Sequence, residues 1–123
     1  MVTVLTANPN SGLDVDSAVV RLGGDCRWYS RLLSMFERDK SLVVRDIRQA
    51  LQSRDFLLAQ RLAHTLKSVA GTIGANSLSE AARQLEAAIL ADQESLFGPC
   101  LEQVEAQLQL VLRAIASFKE TGC

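Results

Sequence analysis

The feature that most constrains the fold is a long stretch of sequence without proline. Pro9 and Pro99 are the only prolines, so the 89 residues between them lack the residue that most strongly interrupts helices. Leucine and alanine, both strong helix formers, make up 34 of the 123 residues, whereas aromatic residues make up only 5%. This composition predicts an all-α protein and excludes an all-β sandwich, a collagen-like repeat and a disordered chain.

Hydrophobic periodicity indicates where the helices lie. A second helix, ending near Lys40, is predicted from apolar residues at positions i, i+3, i+4 and i+7. These residues are Tyr29, Leu32, Leu33 and Phe36. A shorter helix is indicated over residues 42–51. The most continuous stripe predicts a fourth helix and consists of Ala59, Leu62, Ala63, Leu66, Val69, Ala70 and Ile73. Similar spacing predicts a fifth helix over residues 78–89 and a last helix over residues 101–118.

Residues suited to capping predict the helix ends. Asp14 or Asp16 is expected to open a short first helix, Asp25 the second and Asp55 the fourth.

Glycine and proline add further boundaries. Gly23-Gly24 is expected to end the first helix, Gly74 to follow the fourth, and Gly98-Pro99 to lie near the start of the last. The segment Ser77–Glu80 has the S-x-x-E form of a capping box, which predicts the start of the fifth helix.

These elements predict one architecture. Because the connections are only a few residues long, consecutive helices should be antiparallel neighbours. We therefore predict an all-α, antiparallel up-and-down four-helix bundle with one or two additional short N-terminal helices. Residues 12–120 would form this domain, and the weakly patterned residues 1–11 would be a flexible lead or linker. We expect a monomer.

Charge is nearly balanced overall but unevenly distributed. The formal net charge of −1 gives no reason to expect nucleic-acid binding, which usually needs a strongly basic face. Residues 21–67 carry a net charge of +5, whereas residues 68–123 carry −4. The basic stretch favours an acidic partner, although an ordinary solvated surface of mixed charge explains it equally well.

Other features bear on location and metals. No apolar segment is long enough to cross a bilayer and the first residues lack a secretory pattern, so we expect a cytoplasmic protein without membrane contact. The three cysteines fit neither a disulfide framework nor a zinc site, and we expect reduced thiols. With a single histidine and no acidic cluster at metal-ligand spacing, no metal is predicted.

The single histidine, His64, is the candidate for chemistry. It lies two positions from both Leu62 and Leu66, about 200° around a helix, and should therefore face away from the apolar stripe. The residues expected on the same outer strip are Gln60, Lys67, Ser68 and Gly71.

The chemistry open to this strip is limited. An exposed histidine is largely neutral at pH 7 and keeps a lone pair on one ring nitrogen. A serine nucleophile is poorly supported, because Ser68 has no accompanying acid or oxyanion hole. The remaining use is that the ring nitrogen of His64 accepts a phosphoryl group, with Lys67 supplying positive charge and Gly71 leaving space. An incidental surface histidine is the alternative.

A family resemblance is carried by the same region. The segment Ala63–Ala75, continued by Leu78 and Leu85-Glu86, resembles the signature of histidine-containing phosphotransfer (Hpt) domains, roughly H-x-L-K-G/S-x-x-x-x-x-G-A followed by L and L-E. The lead Gly12–Asp25 also resembles the family, so the resemblance spans residues 12 to about 118. Ser68 departs from the glycine that is commonest at its position.

The resemblance implies a relay. His64 would accept a phosphoryl group from the aspartate of one receiver domain and pass it to the aspartate of another. Lys67 would stabilise the phosphoryl group, Gly71 would give access, and Ser68 and Gln60 would be possible contacts. Mg²⁺ would be held by the receiver, so this chain would bind no cofactor of its own.

Glu86 matches the L-E of the family pattern, and a purely structural surface role is the alternative. Two other functions also stay open, namely an inert helical adaptor that binds a receiver without exchange and the phospho-acceptor domain of a chemotaxis-type histidine kinase. The sequence has no P-loop or Gly-rich nucleotide loop, so no kinase activity of its own is expected.

The expected partners are the receiver domains of a hybrid sensor kinase and of a response regulator. The chain could itself be the cytoplasmic C-terminal domain of such a membrane-bound kinase.

Overall fold

The computed structural model describes residues 12–121, which form six α-helices and one short 3-10 helix. The helices are α1 (Val15–Arg21), α2 (Cys26–Lys40), α3 (Val43–Gln52), α4 (Phe56–Thr72), α5 (Asn76–Leu90) and α6 (Phe97–Thr121), with the 3-10 turn Glu94–Leu96 before α6. The predicted all-α class is confirmed. The predicted flexible lead, residues 1–11, lies outside the described residues.

Helices α3 to α6 pack as a four-helix bundle, in which each contacts the next along the chain and α3 also contacts α6. Short connections join these helices, so neighbours in the bundle run antiparallel. Helix α2 packs against α6 and α1. The two N-terminal helices therefore lie outside the bundle as predicted, although α2, with 15 residues, is as long as α5.

Three aspartates cap helices as predicted. Asp14, Asp25 and Asp55 each accept hydrogen bonds from backbone N–H groups of the first turn that follows, at 3.1–3.4 Å. Asp14 rather than Asp16 opens α1. These bonds satisfy N–H groups that the helix itself leaves without partners.

The predicted capping box at Ser77–Glu80 is wrong. Helix α5 begins two residues earlier than predicted, at Asn76, with Ala75 at the N-cap position and no side-chain cap. The Glu80 carboxylate accepts hydrogen bonds from Arg83 and Gln84 on the next turn instead of reaching back. Glu80 therefore pairs with Arg83 and does not take part in a capping box with Ser77.

The core is built from the predicted apolar stripes. Helices α4 and α5 are the most closely packed pair, because both bury small alanines that let their backbones approach. These alanines are Ala59, Ala63, Ala70, Ala81, Ala82 and Ala88. Larger buried side chains fill the rest of the bundle, among them Leu66, Leu78, Leu85, Leu108 and Ile115.

The C-terminal end of α4 is held by the N-terminal helices. The Tyr29 hydroxyl donates a buried hydrogen bond to the carbonyl oxygen of Ile73 at 2.8 Å, and the Arg21 guanidinium donates to that of Gly71 at 3.0 Å. The backbone N–H of Asp14 donates to the carbonyl oxygen of Gly74 at 2.8 Å. Gly74 has φ +84°, and a Cβ there would come within 2.5 Å of the Asp14 carbonyl oxygen, so glycine is required at this position.

Two cysteines lie within the described residues. Cys100 is a free, half-buried thiol, whereas Cys26 is disulfide-bonded, so the expectation of reduced thiols is wrong for Cys26. Among the helices of residues 12–121, none has the length and apolar character needed to cross a membrane.

Candidate functional site

His64 lies on the exposed side of α4. The apolar residues Ala63 and Leu66 point into the bundle and are fully buried, whereas the His64 side chain is 53% exposed. The predicted outward orientation of the imidazole is therefore confirmed. The ring can be reached by a partner that approaches α4 from solvent.

A carboxylate from the neighbouring helix holds the imidazole. Glu86 of α5 lies 2.9 Å from His64 Nδ1 through its Oε2 atom. The same Oε2 accepts a hydrogen bond from Gln60 Nε2 at 2.6 Å, and Glu86 Oε1 lies 3.3 Å from Lys67 Nζ. Three side chains at successive turns of α4 thus converge on one carboxylate of α5.

The contact with Glu86 fixes which ring nitrogen carries the proton. An ionised carboxylate can only accept hydrogen bonds, so His64 Nδ1 must be the donor to Glu86. In the neutral ring, Nε2 then holds the lone pair. Because the two nitrogens lie at opposite edges of the ring, Nε2 points away from Glu86 and is the nitrogen left for a reaction.

Glu86 is ionised despite its burial. Only 8% of the residue is exposed, and burial by itself would raise the pKa of the carboxyl. Hydrogen bonds from Gln60, Lys67 and His64 outweigh burial and hold the pKa of Glu86 below its ordinary value. A buried negative charge therefore stands beside the imidazole at neutral pH.

Lys67 and Gln60 were expected to face solvent beside His64, but both side chains turn toward Glu86. The Lys67 side chain is only 30% exposed and is paired with Glu86. Gln60 uses its amide to bind the same carboxylate. Both residues thus lie at the site, but in the structure each contacts Glu86 and neither stands free beside the ring.

Ser68 and Gly71 lie outside this cluster. Ser68 is exposed on the turn after His64. A Cβ at Gly71 would lie 3.6 Å from the Ser79 hydroxyl oxygen on α5, an ordinary contact distance. The roles predicted for Ser68 as a contact and for Gly71 as an access point stay predictions.

Glu86 is the residue whose importance the sequence pattern alone did not establish. Helical spacing within α4 shows no carboxylate at one turn from His64, since the carboxylate comes from α5. The L-E of the family pattern was the available signal. Within residues 12–121, no group of three or more His, Cys, Asp or Glu side chains is placed to hold a metal ion.

Comparison with known families agrees with the geometry of this site. A family model of the Hpt domain matches residues 31–116, which is well over half of the chain. The chain belongs to the Hpt domain family. Comparisons with curated proteins and with solved structures gave no match. Membership implies histidine phosphotransfer in two-component signalling, and Hpt domains interact with receiver domains.

Proposed function

We propose that this Hpt domain is a phosphorelay intermediate, in which His64 accepts a phosphoryl group from the aspartyl phosphate of one receiver and donates it to the aspartate of another. The observation that carries the proposal is the hydrogen bond of 2.9 Å between His64 Nδ1 and the buried Glu86. It leaves Nε2 as the nucleophile on an imidazole that is 53% exposed.

The transfer step follows from this arrangement. The Nε2 lone pair of His64 attacks the phosphorus, a P–N bond forms, and the P–O bond to the receiver aspartate breaks, so the electron pair leaves with its carboxylate. The Nδ1 proton stays in place and the ring becomes positively charged. Glu86 stabilises that charge and orients the ring, as a carboxylate does for a catalytic imidazole in hydrolases. Glu86 is therefore a positioning residue.

Positive charge near the phosphoryl group comes from Lys67 in this proposal. The transferring group spreads negative charge over its oxygens, so nearby cations lower the barrier. Lys67 Nζ, now 3.3 Å from Glu86, lies one helical turn from His64 and can reach a phosphoryl group on Nε2 by a change of rotamer. Mg²⁺ would be supplied by the acidic pocket of the receiver.

The source of the phosphoryl group is argued from the sequence. These 123 residues contain no P-loop or Gly-rich nucleotide loop, so the phosphoryl group must come from another domain or another protein. We propose a receiver of a hybrid sensor kinase as donor and a response regulator as acceptor, both acting in the cytoplasm.

The test is incubation of the chain with a phosphorylated receiver and Mg²⁺. We expect label on His64 that is lost in acid and kept in base, as a P–N bond requires. His64→Gln should abolish the label without changing the fold, because the side chain is largely exposed. Label that persists in His64→Gln would contradict the assignment. Binding without any transfer would instead show an inert adaptor, and labelling by an ATP-binding kinase but not by receivers would show a chemotaxis-type acceptor.

A further inference from the structure

The exposed side of α4 continues beyond His64 toward the start of the helix. Leu57, Arg61, His64 and Ser68 are spaced by four, three and four residues, so they follow one strip of the helix surface. All four are exposed, and Leu57 is 61% exposed. A large apolar side chain therefore stands in solvent two turns from the proposed acceptor nitrogen.

A second exposed leucine lies on the adjacent helix at the same end of the site. The contact between Gln60 and Glu86 fixes the register of the antiparallel helices α4 and α5. Leu57 precedes Gln60 by three residues and Leu90 follows Glu86 by four, so both are displaced by about 4.5–6 Å toward the same end. Leu90 is 69% exposed. The two leucines thus flank one end of the site.

Arg61 is the available cation on this surface. Lys67 is paired with Glu86, and Arg83 on α5 is held by Glu80, with a hydrogen bond of 2.9 Å from its Nε. Arg61 lies three residues before His64, is exposed, and forms no ion pair or side-chain hydrogen bond with the other described residues. Arg61 can therefore form an ion pair with a carboxylate of a partner without first breaking an ion pair within this protein.

We infer that Leu57, Leu90 and Arg61 form the docking surface for a receiver domain, with Arg61 facing the acidic phosphorylation pocket and the two leucines making an adjacent apolar contact. The inference rests on the proposed function. A protein that places its aspartate at His64 must cover the neighbouring turns, since even a small interface buries several hundred Å² on each side. The opposite end of α4 is already occupied by α1 and α2, whereas the Leu57 end carries exposed apolar area.

The test measures equilibrium binding of a purified receiver, chosen from the receivers encoded alongside this chain as one that binds the wild-type protein. Binding is measured in the wild-type and His64→Gln backgrounds, so that docking is read without any phosphotransfer. The double variant Leu57→Ser/Leu90→Ser should raise Kd on the order of tenfold or more, because it removes the apolar surface that the two leucines would bury against the receiver. Arg61→Ala should raise Kd at low salt and flatten its dependence on salt.

Matched controls come from other surfaces of the same chain. Val20 on α1 is 74% exposed, and Arg113 on α6 is exposed without an ion pair among the described residues. Val20→Ser and Arg113→Ala should leave Kd within about twofold of wild type. The inference is overturned if the docking variants bind as the controls do, or if no receiver binds at all. It is also overturned if the leucines prove to mediate self-association, seen as a wild-type dimer that the double variant abolishes. Loss of transfer with docking intact would contradict only the proposed function.

Discussion

At the scale of single residues, the site depends on one buried carboxylate that serves three side chains of α4. Glu86 orients His64, holds Lys67 close to the ring and binds Gln60. A buried charge is stable only when such partners compensate for lost hydration, so these contacts make Glu86 sensitive to protonation. The same sensitivity makes its contribution measurable.

Glu86→Gln should change how stability depends on pH. Because the folded pKa of Glu86 is lowered, its contribution is fully present above the ordinary value of 4.5 and is lost as pH falls through the folded value. At pH 7 we expect the variant to lose about 1–3 kcal/mol of unfolding free energy, as hydrogen bonds to a charged group would give.

The measurement is urea unfolding of both proteins from pH 7 down to about pH 3. The difference between them should shrink as pH falls, because Glu86 becomes protonated in the wild type. The other carboxylates titrate in both proteins and do not contribute to the difference. A difference that stays constant over the range would show that the charge of Glu86 does not stabilise the fold.

The orientation and contacts of a site residue could be predicted from the sequence only where they depend on neighbours in the same helix. The outward orientation of the His64 side chain follows from its position between Leu62 and Leu66 on one helix. The pairing of Lys67 with Glu86 does not, because it joins α4 to α5 and depends on the depth and register of their packing.

At the scale of elements, helix positions were predicted better than helix starts. The apolar stripes placed α2 to α6, capping and glycine signals placed α1, and three aspartates capped as expected. The start of α5 was placed wrongly because Glu80 had two competing partners in the sequence. The structure pairs it with Arg83, which lies within reach on the next turn, and leaves Ser77 without a capping role.

Gly71→Ala tests why a glycine stands inside α4. Glycine in a helix interior costs about 0.5–1 kcal/mol relative to alanine, and Gly71, in the last turn of α4, should cost no more than this. The added Cβ would meet only Ser79 Oγ, at 3.6 Å, so we expect the unfolding free energy to stay unchanged or rise by up to about 1 kcal/mol.

Thermal or urea unfolding of this variant gives the answer. A clear loss of stability would show that α4 and α5 are packed too closely to admit the methyl group. Retained stability with slower phosphotransfer would support the predicted role of Gly71 in access to His64.

At the scale of the whole molecule, the N-terminal helices and the bundle are joined through the end of α4. Tyr29, Arg21 and the backbone N–H of Asp14 donate to carbonyl groups at the C-terminal end of α4. The sequence predicted these helices but gave no sign of this connection, since the partners are 44 to 60 residues apart.

Tyr29→Phe should weaken that connection. The ring packs edge-on against Phe118 with centroids 5.4 Å apart, and phenylalanine keeps this contact while losing the hydrogen bond to Ile73. We expect a loss of about 1–3 kcal/mol at pH 7, because a buried carbonyl is left without a partner.

The pH dependence of that loss provides a check. Burial and, to a smaller extent, the Asp14 charge raise the pKa of Tyr29 from 10.0 to about 12. The hydroxyl therefore stabilises the fold below pH 10 and ceases to do so as pH rises through about 12. Tyr29 is the only tyrosine in the chain, so phenolate absorbance reports its ionisation directly. A midpoint near 10 in the folded protein would contradict the buried hydrogen bond.

The bonds at the end of α4 also decide how short this protein can be made. The family match begins at residue 31, downstream of Asp14, Arg21 and Tyr29. A fragment trimmed to that match would lack the three groups that donate hydrogen bonds to the end of α4, the helix that carries His64. It would also lack the Tyr29 ring that packs against Phe118. The smallest piece suited to expression and crystallisation with this helix end intact therefore includes the sequence from Gly12 onward.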